Sequence, residues 1–143
     1  MNRQGIESRL KGYFTKRPEV LFAYLFGSQA KGRSHRFSDI DVAIFVDYNL
    51  CQPQNFGYEA YVIADLMQVL KTNDVDLVIL NEASPLLSHQ VIKYGRLVFS
   101  RDEARRIHFV VESFKKYGDT QKMRDIQWEY LRKRIRSGSF ARS

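Results

Sequence analysis

The sequence predicts one domain of the mixed α/β or α+β class, a core sheet followed by helices. Three observations carry that prediction. The runs Val20–Phe26 (VLFAYLF), Asp39–Val46 (DIDVAIFV) and Asp74–Leu80 (DVDLVIL) have strand length and are rich in β-branched and aromatic residues. Segments with apolar residues at helical spacing stand around them. The chain has 143 residues, 44% hydrophobic and 27% charged, which suits one globular core and excludes a disordered chain.

Taken in order, Ile6, Leu10, Tyr13 and Phe14 recur at helical spacing and predict an opening amphipathic helix. Val20–Phe26 follows as a buried strand and runs straight into Gly27-Ser28. Residues 29–38 are polar and form a loop or short helix. Asp39–Val46 is apolar on both faces beyond its aspartates, which places it centrally in the sheet. Tyr58, Val62, Leu66, Val69 and Leu70 mark a second helix, and Asp74–Leu80 a third strand. Ser84-Pro85 reads as an N-cap with proline at the first helical position, and 95–99 as a short strand. Ser100 and Glu103 have capping-box spacing before the apolar stripe Ala104, Ile107, Val111 and Phe114, which should stop near Gly118. A last helix over 120–136 places Met123, Ile126, Tyr130, Trp128, Leu131 and Ile135 on its apolar side, with Trp128 assigned to the core. The division is thus 1–118 as the main domain and 119–143 as a basic helix and tail packed on it.

The longest apolar run has seven residues, too short to cross a bilayer, and no hydrophobic leader follows Met1. Cys51 is alone and cannot form an internal disulfide, so the expected compartment is reducing, the cytoplasm. The net charge of +7 is uneven: residues 1–100 hold 11 Lys and Arg against 10 Asp and Glu, and residues 101–143 hold 12 against 6. That basic segment suits a nucleic acid, an acidic protein or plain solvation; composition favours solvation and leaves nucleic-acid binding open.

The chemistry lies around Asp39-Ile40-Asp41. Residues two apart on a strand point to the same side, so two carboxylates project together. Their repulsion favours protonation of one unless a cation intervenes, and hard oxygen ligands select Mg²⁺ or Mn²⁺. Asp76 on the next strand can complete a triad, and Asp74 shares its face, so position alone does not choose between them. Three carboxylates around one point suit two-metal phosphoryl transfer. Gly27 allows close approach of a phosphate, Ser28 offers a hydroxyl and an amide, and Lys31, Arg33 and Arg36 can neutralise phosphate charge. His35 reads as an exposed loop residue, His89 and His108 as structural, and Tyr58 and Tyr61 as helix packing.

The segment LFGSQAKGRSHRFSDIDVAIF, with ten residues between Ser28 and Asp39, resembles the Gly-Ser…Asp-x-Asp signature of the DNA polymerase β-like nucleotidyltransferase superfamily. The stretch VDLVILNEASPLLSHQVIKYGRLVF resembles the continuation in minimal nucleotidyltransferases, the MNT partners of HEPN proteins in toxin–antitoxin pairs. The resemblance covers residues 20–100. It implies the small nucleotidyltransferase fold, a short mixed sheet with helices largely on one face and C-terminal helices beyond. It makes Gly27 and Ser28 the phosphate-binding pair, with Lys31 where many members carry arginine, and Asp39, Asp41 and Asp76 the catalytic, metal-holding carboxylates. It implies an antitoxin that transfers AMP from ATP to a tyrosine of a helical HEPN ribonuclease toxin. Two alternatives remain at this stage: a transferase for a small molecule or an RNA end, and an antitoxin that neutralises by binding alone.

Overall fold

The computed structural model describes residues 2–26, 40–51 and 57–137, without the side chains at 124, 128 and 134–137. Helix α1 (Arg3–Thr15) is capped by Asn2, whose side chain accepts the Gly5 N–H at 2.8 Å. It buries Ile6, Leu10 and Phe14, the stripe the spacing predicts. Strands β1 (Val20–Phe26) and β2 (Ile40–Val46) pair antiparallel, β3 (Val75–Ile79) lies parallel to β2, and β4 (Arg96–Ser100) lies antiparallel to β1. The order is β3-β2-β1-β4, so β2 is interior as expected. The parallel β2–β3 pair requires a crossover, which contains α2 (Tyr58–Leu70).

One expectation is corrected here: helices cover both faces of the sheet. On the first face, α1 and α2 pack Leu10, Phe14, Val62 and Leu66 against Val42 and Ile44. On the second, Val91 of α3 (Pro85–Tyr94) and Phe109 of α4 (Glu103–Ser137) join Phe22, Tyr24 and Ala43. Two covered faces explain why β1 is apolar throughout rather than alternating. The register shift between Val20 and Phe22 turns both Leu21 and Phe22 to the second face.

Polar ties fix the layers. Asp65 of α2 accepts from the Tyr13 hydroxyl at 2.7 Å and from Arg17 at 2.5 Å, joining α2 to the end of α1. Arg101 donates to the carbonyls of Phe14, Arg17 and Val20 at 2.6, 3.0 and 2.8 Å, which ties the start of α4 to the turn where α1 ends and β1 begins. Asn81 bonds both the N–H and the carbonyl of Val46, at 2.9 and 2.8 Å, and so continues the ladder with a side chain.

Ser84 caps α3 as expected, accepting from Leu87 N at 3.1 Å. The cap of α4 differs from expectation. Asp102 accepts from Arg105 N at 3.0 Å, while Ser100 donates its hydroxyl to Glu103. A second correction concerns Gly118. The predicted break there is absent, and α4 runs unbroken for 35 residues. A Cβ at Gly118 would meet nothing within 4 Å, and its backbone is not left-handed, so neither sterics nor conformation ends the helix.

Candidate active site

The open end of the second sheet face holds the site. Phe26, the last residue of β1, is opposite Asp41 on β2, and Asp41 is opposite Asp76 on β3. One row across three strands therefore carries an aromatic ring and two carboxylates. All three project on the face that includes Ala43 and Val78, where adjacent strands stand about 4.8 Å apart. Asp41 is half-buried and Asp76 exposed. An Asp76 oxygen accepts the Leu77 N–H at 2.9 Å, which limits its rotation. Asp74 precedes β3, and its carbonyl accepts from Ile40 N at 3.2 Å, fixing where the two strands begin.

Electrostatics single out Asp41. Burial first, then the charges of Asp76 and Asp74, push its carboxyl up to about 6. A carboxylate held half out of water beside two others is an arrangement that a divalent cation relieves, and oxygen donors suit Mg²⁺ or Mn²⁺. These residues fit such an ion. Among the described residues no three acidic, histidine or cysteine side chains converge as a complete ligand set.

Of the sequence-predicted site residues, the fold brings Asp41 and Asp76 together. Gly27, Ser28, Lys31, Arg33, Arg36 and Asp39 lie outside the described residues, as does His35. His89 is buried and stacked on Tyr117, with ring centroids 3.7 Å apart, which agrees with a structural role.

Two neighbours of this row were not singled out from sequence. Phe26 reads as one more residue of an apolar strand, yet it ends the row beside Asp41. The C-terminal end of α3 is the other. Gly95 packs so tightly there that an added Cβ would sit 2.3 Å from the Val91 carbonyl and 3.3 Å from that of Leu25. That contact brings exposed Lys93 and Tyr94 to the same end of the sheet as Asp41. The only sequence signal was a glycine between a helix and a strand.

The mixed four-stranded sheet with flanking helices and a long C-terminal helix is the fold of the polymerase β-like nucleotidyltransferases. Residues 8–104 match the family described as "Polymerase beta, Nucleotidyltransferase", and the chain belongs to that family. Within it, the chain is 32% identical over 104 residues to the protein adenylyltransferase MntA of Shewanella oneidensis, covering 73% of this chain and 70% of that protein. It is 36% identical over 91 residues to MntA of Aphanizomenon flos-aquae, covering 59% and 60%. Among solved structures, a toxin–antitoxin crystallised with AMP-PNP superposes with a TM-score of 0.68 at 28% identity, covering 92% of this chain and 98% of that one. The MNT antitoxin bound to a tri-AMPylated HEPN toxin of Shewanella oneidensis gives 0.67 at 25% identity, covering 90% and 98%. Among the described residues, no helix is long and apolar enough to cross a membrane.

Proposed function

We propose that this chain is an antitoxin that transfers AMP from ATP to a tyrosine of a cognate HEPN toxin. The observation that carries the reading is the register of Asp41 and Asp76 across β2 and β3, on a chain that aligns along almost its whole length with antitoxins solved beside their toxins. Asp39, Asp41 and Asp76 would hold Mg²⁺ or Mn²⁺, which when bound would steady the triphosphate and acidify the attacking hydroxyl. Gly27 and Ser28 seat the triphosphate, and Lys31 and Arg33 balance its charge. Phe26 closes the side of the row toward β1 and keeps water from the half-buried Asp41. In the reaction the tyrosine oxygen bonds to the α-phosphorus, the bond to pyrophosphate breaks, and the phenolic proton is released. The lone thiol of Cys51, with its pKa raised by burial and by Glu19 and Asp47, fits a cytoplasmic setting.

The test is incubation of this chain with ATP, Mg²⁺ and the product of its neighbouring gene. Intact-mass spectrometry should show discrete AMP additions to that product, with pyrophosphate released in step. A stable complex that gains no mass with ATP would leave neutralisation by binding alone.

A further inference from the structure

Helix α3 ends on a side chain that its own packing does not account for. Leu87, Val91 and Tyr94 follow one another at intervals of four and three, so they form one stripe. Leu87 and Val91 of that stripe pack into the core of the second sheet face, which also takes in Phe26. The stripe that faces water is a different one, Leu86, Gln90 and Lys93, and all three are exposed. Tyr94 belongs by position to the packed stripe and is nevertheless 44% exposed. It therefore stands where the core stops, at the open end of the sheet.

Backbone packing fixes that place. One step beyond the last pair of β1 with β4, Leu25 opposite Arg96, Gly95 comes level with Phe26. Gly95 closes the end of α3 by donating its N–H to the Val91 carbonyl at 2.7 Å. A Cβ at 95 would sit 2.3 Å from that same oxygen and 3.3 Å from the carbonyl oxygen of Leu25, so glycine is what lets helix and strand come this close. The row across the sheet end then reads Gly95, Phe26, Asp41, Asp76. Two strand spacings, about 10 Å, separate Gly95 from Asp41. The Lys93 ammonium lies 5.2 Å from the centroid of the Tyr94 ring, a cation–π distance that holds the ring's orientation.

A nucleotide is strongly anionic at one end and carries a flat base at the other. Carboxylates with a cation take the anionic end, and the base calls for an aromatic or apolar wall. From Asp41 the row leads one way to β3, the edge of the sheet, and the other way past Phe26 to the end of α3. Within the row, the aromatic surface lies on the second side. We propose that the Tyr94 ring packs against the nucleoside of bound ATP, with Lys93 as the positioning residue that orients the ring. The assignment rests on the reading of this chain as a nucleotidyltransferase that takes ATP, and not on which acceptor it modifies. Stacking of this kind is tolerant of base identity, because every base offers a π face. Tyr94 therefore governs affinity for the nucleoside part of the substrate, while the phosphates are held elsewhere.

The experiment measures binding of AMP-PNP and of inorganic tripolyphosphate, each with Mg²⁺, by calorimetry on the full chain without toxin. Tyr94→Ala should weaken AMP-PNP about tenfold and leave tripolyphosphate unchanged. The side chain is exposed, so the fold tolerates the change, and unaltered tripolyphosphate binding reports an intact site. Tyr94→Phe keeps the ring and should bind AMP-PNP as wild type does. Lys93→Ala should weaken AMP-PNP by less than Tyr94→Ala. Loss of tripolyphosphate binding in that variant would make Lys93 a phosphate ligand and overturn its orienting role. AMP-PNP affinity equal to wild type in Tyr94→Ala overturns the assignment of the wall. Equal weakening of both ligands overturns it too, since the change then acts on the shape of the site rather than on the nucleoside. Failure of the antitoxin reading shows separately, as AMP-PNP binding without transfer to the toxin. Wild-type protein that binds neither ligand overturns the nucleotidyl-transfer reading, and the wall falls with it.

Discussion

The open end of the sheet and the far half of α4 depart from the stability rules that the core obeys, and they depart in opposite ways. At the sheet end, Asp41 is kept half-buried beside Asp76 and Asp74, so like charges accumulate where burial penalises them. On α4, Met123, Ile126 and Tyr130 are largely exposed among neighbours of mixed charge. The core on the first face shows neither fault: Leu10, Phe14, Val42, Ile44 and Leu66 are fully buried against one another. Local faults of this kind concentrate where a ligand or partner completes the structure. The difference in kind identifies what completes it. Excess negative charge asks for a cation with its anionic substrate, whereas exposed apolar side chains ask for an apolar surface.

The sharpest way to separate the two regions is to remove the charges. Asp41→Asn with Asp76→Asn should lower AMP transfer by at least about a thousandfold, because the groups proposed to hold the metal are gone. The same variant should fold as well as wild type or better, since the repulsion is relieved. Toxin affinity should stay unchanged. Transfer rates are read by pyrophosphate release, and stability by denaturant titration. Full transfer activity in this variant would remove Asp41 and Asp76 from the catalytic assignment.

The raised pKa of Asp41 predicts a smaller effect with a definite sign. The folded protein holds that proton up to about 6, whereas the unfolded chain releases it near 3.8. Between those values the folded state binds more protons than the unfolded state, so stability falls as pH rises through the window. After discounting for solvent screening at this partly exposed site, the loss is about 1–2 kcal/mol. Chemical denaturation in a chelator, from pH 4 to pH 6.5, should show that decline in wild type relative to Asp41→Asn. At neutral pH, Mg²⁺ should restore stability to wild type and leave the variant unmoved. A flat difference between the two proteins across that window would mean the site does not strain Asp41.

How much of this was legible in the sequence follows the same division. The sheet end was readable because strand alternation fixes which side chains share a face: Asp41 and Asp76 were matched from sequence and stand in register. Position left Asp74 and Asp76 level, and only the pairing of β2 with β3 puts Asp76 directly opposite Asp41. Helix placement was less readable. Periodicity identifies an apolar face but not the side of the sheet it meets, so α3 and α4 on the second face came as a correction. The tight fit of Gly95 against Leu25 was invisible, since it joins residues 70 positions apart. The cap moved from Ser100 to Asp102 because both offer an acceptor oxygen and only the path of the chain out of β4 chooses between them.

Gly118 provides the finest test, since two descriptions of α4 predict opposite signs for one substitution. A glycine that ends a helix takes a left-handed backbone, and alanine there is strained. A glycine inside a continuous helix is the weakest position in it, and alanine there is better by about 1 kcal/mol. The structure gives Gly118 helical neighbours on both sides and open space where the methyl group would go. Gly118→Ala should therefore raise helix content and slow amide hydrogen exchange from residues 119 to 133, with global stability changing little because that stretch packs weakly on the domain. The contrast with the sheet end also predicts that AMP transfer stays unaffected, since Gly118 is remote from Asp41 in the chain. Faster exchange beyond residue 118 in the alanine variant would instead mean a hinge there.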